Sequence, residues 1–232
     1  MSTFVSLITI FLAMLIHSSM QLVPGIFALF YHSGLSKSSA SKTDDLSLSF
    51  ILGSELFSAT IFIAIYSAIL SLSFIDESIR NILSWVLIGF LFIEIPAIIF
   101  LYYRKGKGSS LFISRKSAIN LSRHAESIKN RTDAMLLGMF SGVAELPFTL
   151  PLFVIVSNEA IGLTNGQNGI LIIIYIIVTT IPLFIIRRCF RSGLNLADIA
   201  RFRAKNKLFF KIILAFGYLL LATTLITTGI IK

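Results

Sequence analysis

The chain has 232 residues, 56% of them hydrophobic and 13% charged, with a net charge of +9 and a mean hydropathy of +0.89. That composition cannot clothe a water-soluble globule, and the apolar residues fall in runs of about 20, the length that crosses a hydrocarbon core roughly 30 Å thick. A single cysteine, Cys189, rules out an internal disulfide and the usual thiolate zinc site, so neither redox chemistry of the chain's own nor a cofactor is expected.

The first candidate span is Phe4–Tyr31. Met1–Leu15 has no Lys or Arg before its apolar stretch, and that stretch runs past Leu22 without a cleavage pattern, so it reads as a retained helix rather than a signal peptide. Met14, His17, Gln21 and Pro24 fall at 3-4-3 spacing and give this span a polar face that ends at a break, Pro24–Gly25. The second span, Leu48–Ser73, carries Glu55 toward its cytoplasmic end; the connection before it, with Asp44 and Asp45, reads as a solvated Ser/Lys-rich link. The third, Ile82–Tyr103, carries Glu94 and Pro96.

Between the third and fourth spans, Ile113–Asp133 sets Ala118, Leu121, Ala125 and Ile128 at 3-4-3 spacing among Arg115, Lys116, Arg123, Lys129 and Arg131. This predicts an amphipathic helix, held at anionic headgroups or used for docking. The fourth span, Met135–Val156, holds Pro147 and Pro151, and Gly138, Gly142, Glu145 and Thr149 at 4-3-4 spacing make one small, polar face that another helix could approach or water could wet. Ten residues into that span, Glu145 lies about 15 Å along the axis, near the bilayer centre. The fifth span, Ile170–Ile186, contains Pro182 and leads into Arg187, Arg188, Cys189 and Arg191. Leu196, Ile199 and Phe202 suggest a second, shorter amphipathic helix before the last span, Leu208–Ile231.

Lys and Arg are distributed unevenly: two in 32–47, one in 74–81, eight in 104–134, none in 157–169 and seven in 187–207. Heavy and light connections alternate, so by the positive-inside rule the heavy ones are cytoplasmic and both termini lie outside. The expected fold is all-α and polytopic, six transmembrane helices, N-out and C-out, forming one transmembrane domain over residues 1–232. The charge is therefore a topology signal, and no nucleic-acid module accompanies it.

All five prolines lie within spans. If the segments are helical, Pro24, Pro147 and Pro151 free the carbonyls of Met20, Val143 and Pro147, and in hydrocarbon a freed carbonyl needs a partner or a wet cavity. Glu55, Glu94 and Glu145 would each cost about 2.5–3.5 kcal/mol at the bilayer centre unless protonated, paired or wetted, and no Lys or Arg lies deep in a span to neutralise them. Broken helices with intramembrane carboxylates point to transport. A helix kink with a carboxylic acid hydrogen-bonded between helices is the plainer alternative. No metal site is expected, since His17 has no second His or Cys near it. No catalytic constellation appears either: His32 and His124 are isolated near loops, so the chain does not read as an enzyme.

The polarity of the six spans, the prolines of the first and fourth, and the string Glu145-Leu146-Pro147-Phe148-Thr149 after Gly138 and Gly142 resemble the LysE/DsbD-like polytopic membrane superfamily. The likeness is nearest to its cytochrome c biogenesis (CcdA) and DsbD transmembrane type. The resemblance implies two inverted three-helix repeats, here 1–103 and 135–232 joined by a basic cytoplasmic connection, 104–134, with Gln21–Gly25 facing Glu145–Pro151. Thiol-shuttling members carry a cysteine in each facing helix; this chain has Phe148 in the fourth span and no cysteine in the first, so membrane dithiol chemistry does not carry over.

The leading expectation is a secondary transporter or exporter of a small solute or cation in a bacterial or archaeal inner membrane. Glu145, Gln21, His17, Thr149, Glu94 and Glu55 would form its binding groups, and Pro24, Gly25, Pro147 and Pro151 its helix breaks. The alternative is a non-catalytic accessory of a thiol-redox or cytochrome c maturation system, with a thioredoxin-like partner. Self-association is left open by the sequence.

Overall fold

The computed structural model describes residues 3–20, 40–73, 77–101, 115–128, 130–161, 163, 165–192 and 205–229, and these are helical apart from short connections. The helices are α1 (Thr3–Met20), α2 (Ala40–Ser73), α3 (Glu77–Pro96), α4 (Arg115–Ser127), α5 (Arg131–Ile161), α6 (Asn165–Arg191) and α7 (Lys207–Gly229); α3 continues as a π-helical stretch, Ala97–Leu101. By length and composition α2, α5, α6 and α7 can each cross a membrane, and Phe4–Ser19 and Ser84–Phe100 are shorter apolar helices. The outward faces carry Phe4, Val86, Ile93, Ile170, Phe209 and Phe216, all more than half exposed, as in a surface solvated by lipid. The all-α, membrane-adapted class read from composition holds.

The largest helix pairing joins α2 and α5. Gly138 is what lets them meet: a Cβ there would strike the Phe50 carbonyl, one at Gly53 would strike the Met135 carbonyl, and one at Gly142 would enter the Phe57 ring. Small residues bring helix backbones together in this way where no hydrophobic drive separates helix from lipid. Phe50 beside Gly138 and Phe57 beside Gly142 set α2 and α5 parallel. Contacts of Asp44 with Arg187 and of Phe62 with Tyr175 set α6 antiparallel to α2.

Four expectations change. α2 starts at Ala40, about two turns before Leu48, so Asp44 and Asp45 belong to a helix rather than a solvated link. α5 runs without interruption through Pro147 and Pro151, so the fourth span is one continuous helix where a break was expected. Between the two prolines the Phe148 carbonyl accepts from the Tyr218 hydroxyl of α7 at 2.8 Å. The irregular backbone lies instead after Pro96, where the Ile99 carbonyl in the π-helical stretch accepts from Lys211 Nζ at 2.8 Å. The amphipathic helix forms as α4, but Leu121, Ala125 and Ile128 are buried, and α4 packs on α5. Asn130 Oδ1 then caps α5 by accepting from the Asp133 N–H at 2.8 Å. Pro24 and Gly25, and the second amphipathic segment at Leu196–Phe202, lie outside the described residues.

Candidate functional site

Four aromatic side chains from four helices meet in the core. His17 of α1 lies edge-on to Phe153 of α5, ring centroids 5.3 Å apart, and Phe62 of α2 stacks on the same Phe153 at 5.5 Å. Phe62 also lies 4.8 Å from Tyr175 of α6. A hydrogen bond of 2.8 Å joins His17 Nδ1 to the Tyr175 hydroxyl; the imidazole tautomer decides which group donates. All four are at most 2% exposed, so this polar pair sits inside an apolar plug. The imidazole Nδ1 and the phenolic hydroxyl satisfy one another, as burial demands.

On one side of the plug is a cavity of about 320 Å³ between α1 and α6. Its walls run from Leu7 to Met14 on α1 and from Gln167 to Ile174 on α6. Met14 is one turn from His17, and Leu171 one turn from Tyr175, so the cavity floor adjoins the polar pair.

On the other side lie two carboxylates. Glu55 is seven residues from Phe62 and Glu145 eight from Phe153, which puts both roughly 10–12 Å from the aromatic plug along their parallel helices. The Glu55 carboxyl is in hydrogen-bond contact with Thr180 Oγ1, and Tyr175 is within its electrostatic reach. Glu145 is 6% exposed. Of the face it shares with Gly138, Gly142 and Thr149, the two glycines are filled by α2, so that end of the stripe is a close helix contact rather than a wetted surface. The Thr149 hydroxyl turns back to donate to the Glu145 carbonyl at 3.4 Å.

Farther along, at the end of α2, Asp44 accepts from Arg187 Nε at 2.9 Å and from Nη2 at 2.7 Å, a two-pronged pair with both side chains under 20% exposed. Arg191 approaches the same carboxylate at 3.7 Å, and Arg131 of α5 pairs with Asp45. Consecutive aspartates thus tie α2 to both α6 and α5.

Of the residues singled out by sequence, His17, Glu55 and Glu145 are arranged about this axis, and Thr149 is on the same helix face as Glu145. Glu94 is separate: it is buried on α3, and its Oε2 has no hydrogen-bond partner among the described residues. Gln21 lies outside the described residues, and Cys189 is a partly buried free thiol. No group of three His, Cys, Asp or Glu suited to a metal occurs among the described residues. Tyr175, Thr180, Phe62, Phe153, Asp44 and Arg187 were not singled out. For Tyr175 and Thr180 a signal exists, since they are polar letters in the Ile-rich run of residues 170–186.

No protein-family model, no characterised protein and no solved structure matches the chain.

Proposed function

We propose that the chain is a secondary transporter of a small solute, coupled to a proton or cation through intramembrane carboxylates. The observation that carries this is the order of elements along one axis: an apolar cavity, a hydrogen-bonded aromatic plug, the half-buried carboxyl of Glu55 with the buried one of Glu145, and an ionic clip. A carboxyl group held in hydrocarbon is costly unless it is partnered, protonated, hydrated or neutralised by a mobile cation, and exchange among those states is the chemistry of ion coupling. In this reading Glu55 and Glu145 exchange the coupling ion, and the plug keeps the cavity and the carboxylates from opening to each other at once.

The proposal includes six spans, N-out and C-out, in two inverted three-helix repeats of LysE/DsbD-like type, in a bacterial or archaeal inner membrane. The parallel course of α5 and the antiparallel course of α6 against α2 support it, and so does the packing of α1 on α5, α2 on α6 and α3 on α7, the pairs that a pseudo-two-fold axis would relate. The basic ends of α4 and α6 and the Asp44–Arg187 clip then lie on the cytoplasmic side, and the cavity on the opposite side. No observation favours the accessory reading.

The test is flux in liposomes that enclose a pH-sensitive dye, with an imposed pH gradient and a panel of monovalent and divalent cations. Wild type should dissipate the gradient when the coupled ion or solute is supplied, and the Glu145→Gln protein, folded and reconstituted at the same density, should not. Normal flux in Glu145→Gln would remove Glu145 from the coupling mechanism.

A further inference from the structure

The α1/α6 cavity is lined by apolar side chains apart from Gln167, the only polar one among the described residues, and no charged group reaches it. Its rim residues Leu7, Phe11, Ile170 and Ile174 are 46–61% exposed on the face that lipid covers, so it opens to hydrocarbon rather than to water. At about 320 Å³ it matches the lower end of small-molecule sites, which combine apolar walls with a few polar groups.

We infer that this cavity binds a small, uncharged, largely apolar molecule that has partitioned into the membrane, one carrying an aromatic ring and at most one hydrogen-bonding group. A charge is disfavoured because no charged side chain among the described wall residues would compensate it in hydrocarbon. The α1 wall favours a compact occupant over a full lipid tail: Leu7 to Met14 rises roughly 10 Å, against about 15 Å of hydrocarbon in one leaflet, while the facing wall runs from Leu163, just before α6, to Ile174. A compact ring fits that length, and Phe11 and the polarisable thioether of Met14 are suited to hold one. Met14 and Leu171 in the lining are one turn from His17 and Tyr175, so an occupant packs on residues that flank the plug. That the bound molecule is also the transported one rests on the transport reading above; binding itself does not.

The experiment is equilibrium titration of the fluorescent, uncharged arylamine N-phenylnaphthylamine into the full-length protein in phosphatidylcholine nanodiscs, with empty nanodiscs subtracted. Saturable binding at one site per chain is expected. Leu7→Trp and Ile174→Trp, at half-exposed rim positions where added bulk costs the core little, should each weaken it about ten-fold or more, equivalent to ~1.4 kcal/mol. Ile213→Trp on the lipid face of α7 should leave it unchanged. Signal no greater than partition into empty nanodiscs overturns the inference, as does saturable binding indifferent to both rim substitutions. So does a phospholipid that stays on the protein in native mass spectrometry, is not displaced by the probe and is lost in Leu7→Trp. No gradient is applied, so a failure here leaves the flux test standing, and lost flux with intact binding leaves the site standing.

Discussion

The imidazole Nδ1 of His17 lies 2.8 Å from the phenolic oxygen of Tyr175, a residue 158 positions away in the chain. This bond fixes α1 against α6 at the floor of the cavity and satisfies two polar groups that would otherwise be orphaned in hydrocarbon. Tyr175→Phe keeps the ring contacts with Phe62 and Phe153 and removes only the hydroxyl, leaving a buried nitrogen unpaired at a cost of about 1–3 kcal/mol. Thermal unfolding in detergent, followed with a thiol-reactive dye at Cys189, should show a lower midpoint than wild type. An unchanged midpoint would mean that the hydrogen bond contributes nothing.

The contact of α2 with α5 depends on Gly138. In Gly138→Leu the new side chain meets the Phe50 carbonyl and the Ser54 amide, backbone that cannot yield without separating the helices. Overpacking of this kind costs about 1–3 kcal/mol or more. The same thermal assay should show a clear loss of stability or of folded yield. Gly89→Leu, where nothing lies within 4 Å, serves as the neutral comparison. Equal behaviour of the two variants would contradict the close α2–α5 approach.

The two acidic pairs at the end of α2 should differ in weight. Asp44 and Arg187 are both mostly buried and doubly hydrogen-bonded, whereas the Arg131 side chain is 71% exposed. Asp44→Asn should destabilise by about 1–3 kcal/mol, the range for hydrogen bonds to charged groups. Asp45→Asn should change nothing measurable, as exposed pairs are screened. The exchange Asp44→Arg with Arg187→Asp should recover part of the loss, and a double-mutant cycle without coupling would refute the clip.

Orientation follows from the alternation of basic connections. A reporter fused after Lys232 should be active only outside the cytoplasm, and one inserted in the 104–114 connection only within it. A cytoplasmic carboxy terminus would overturn both the span count and the assignment of sides.

How much of this was legible in the sequence differs from residue to residue. The helices, the amphipathic stretch that becomes α4 and the buried His17 and Glu145 could all be read from periodicity, because each is a local property of its own segment. The helical state of Ala40–Ser47 could not be, since Ser, Lys and Asp suit a loop equally well. The groups that meet it there are Arg131, Arg187 and Arg191, all more than 80 residues away. The prolines were visible but their consequences were not. Whether a proline interrupts a helix depends on the packing around it: α5 runs on through Pro147 and Pro151, whereas α3 gives way to a π-helical stretch just after Pro96. The plug was missed because Phe62, Phe153 and Tyr175 look like ordinary core letters until three helices bring them to one histidine.

The most direct measurement of the central claim is dye-reported proton or cation flux in liposomes for wild type, Glu55→Gln, Glu145→Gln and the double variant, at matched protein density. The account predicts gradient-driven flux in wild type, with severe loss in each single variant and no further loss in the double, because both carboxylates serve one coupling step. Undiminished flux in the double variant would contradict it.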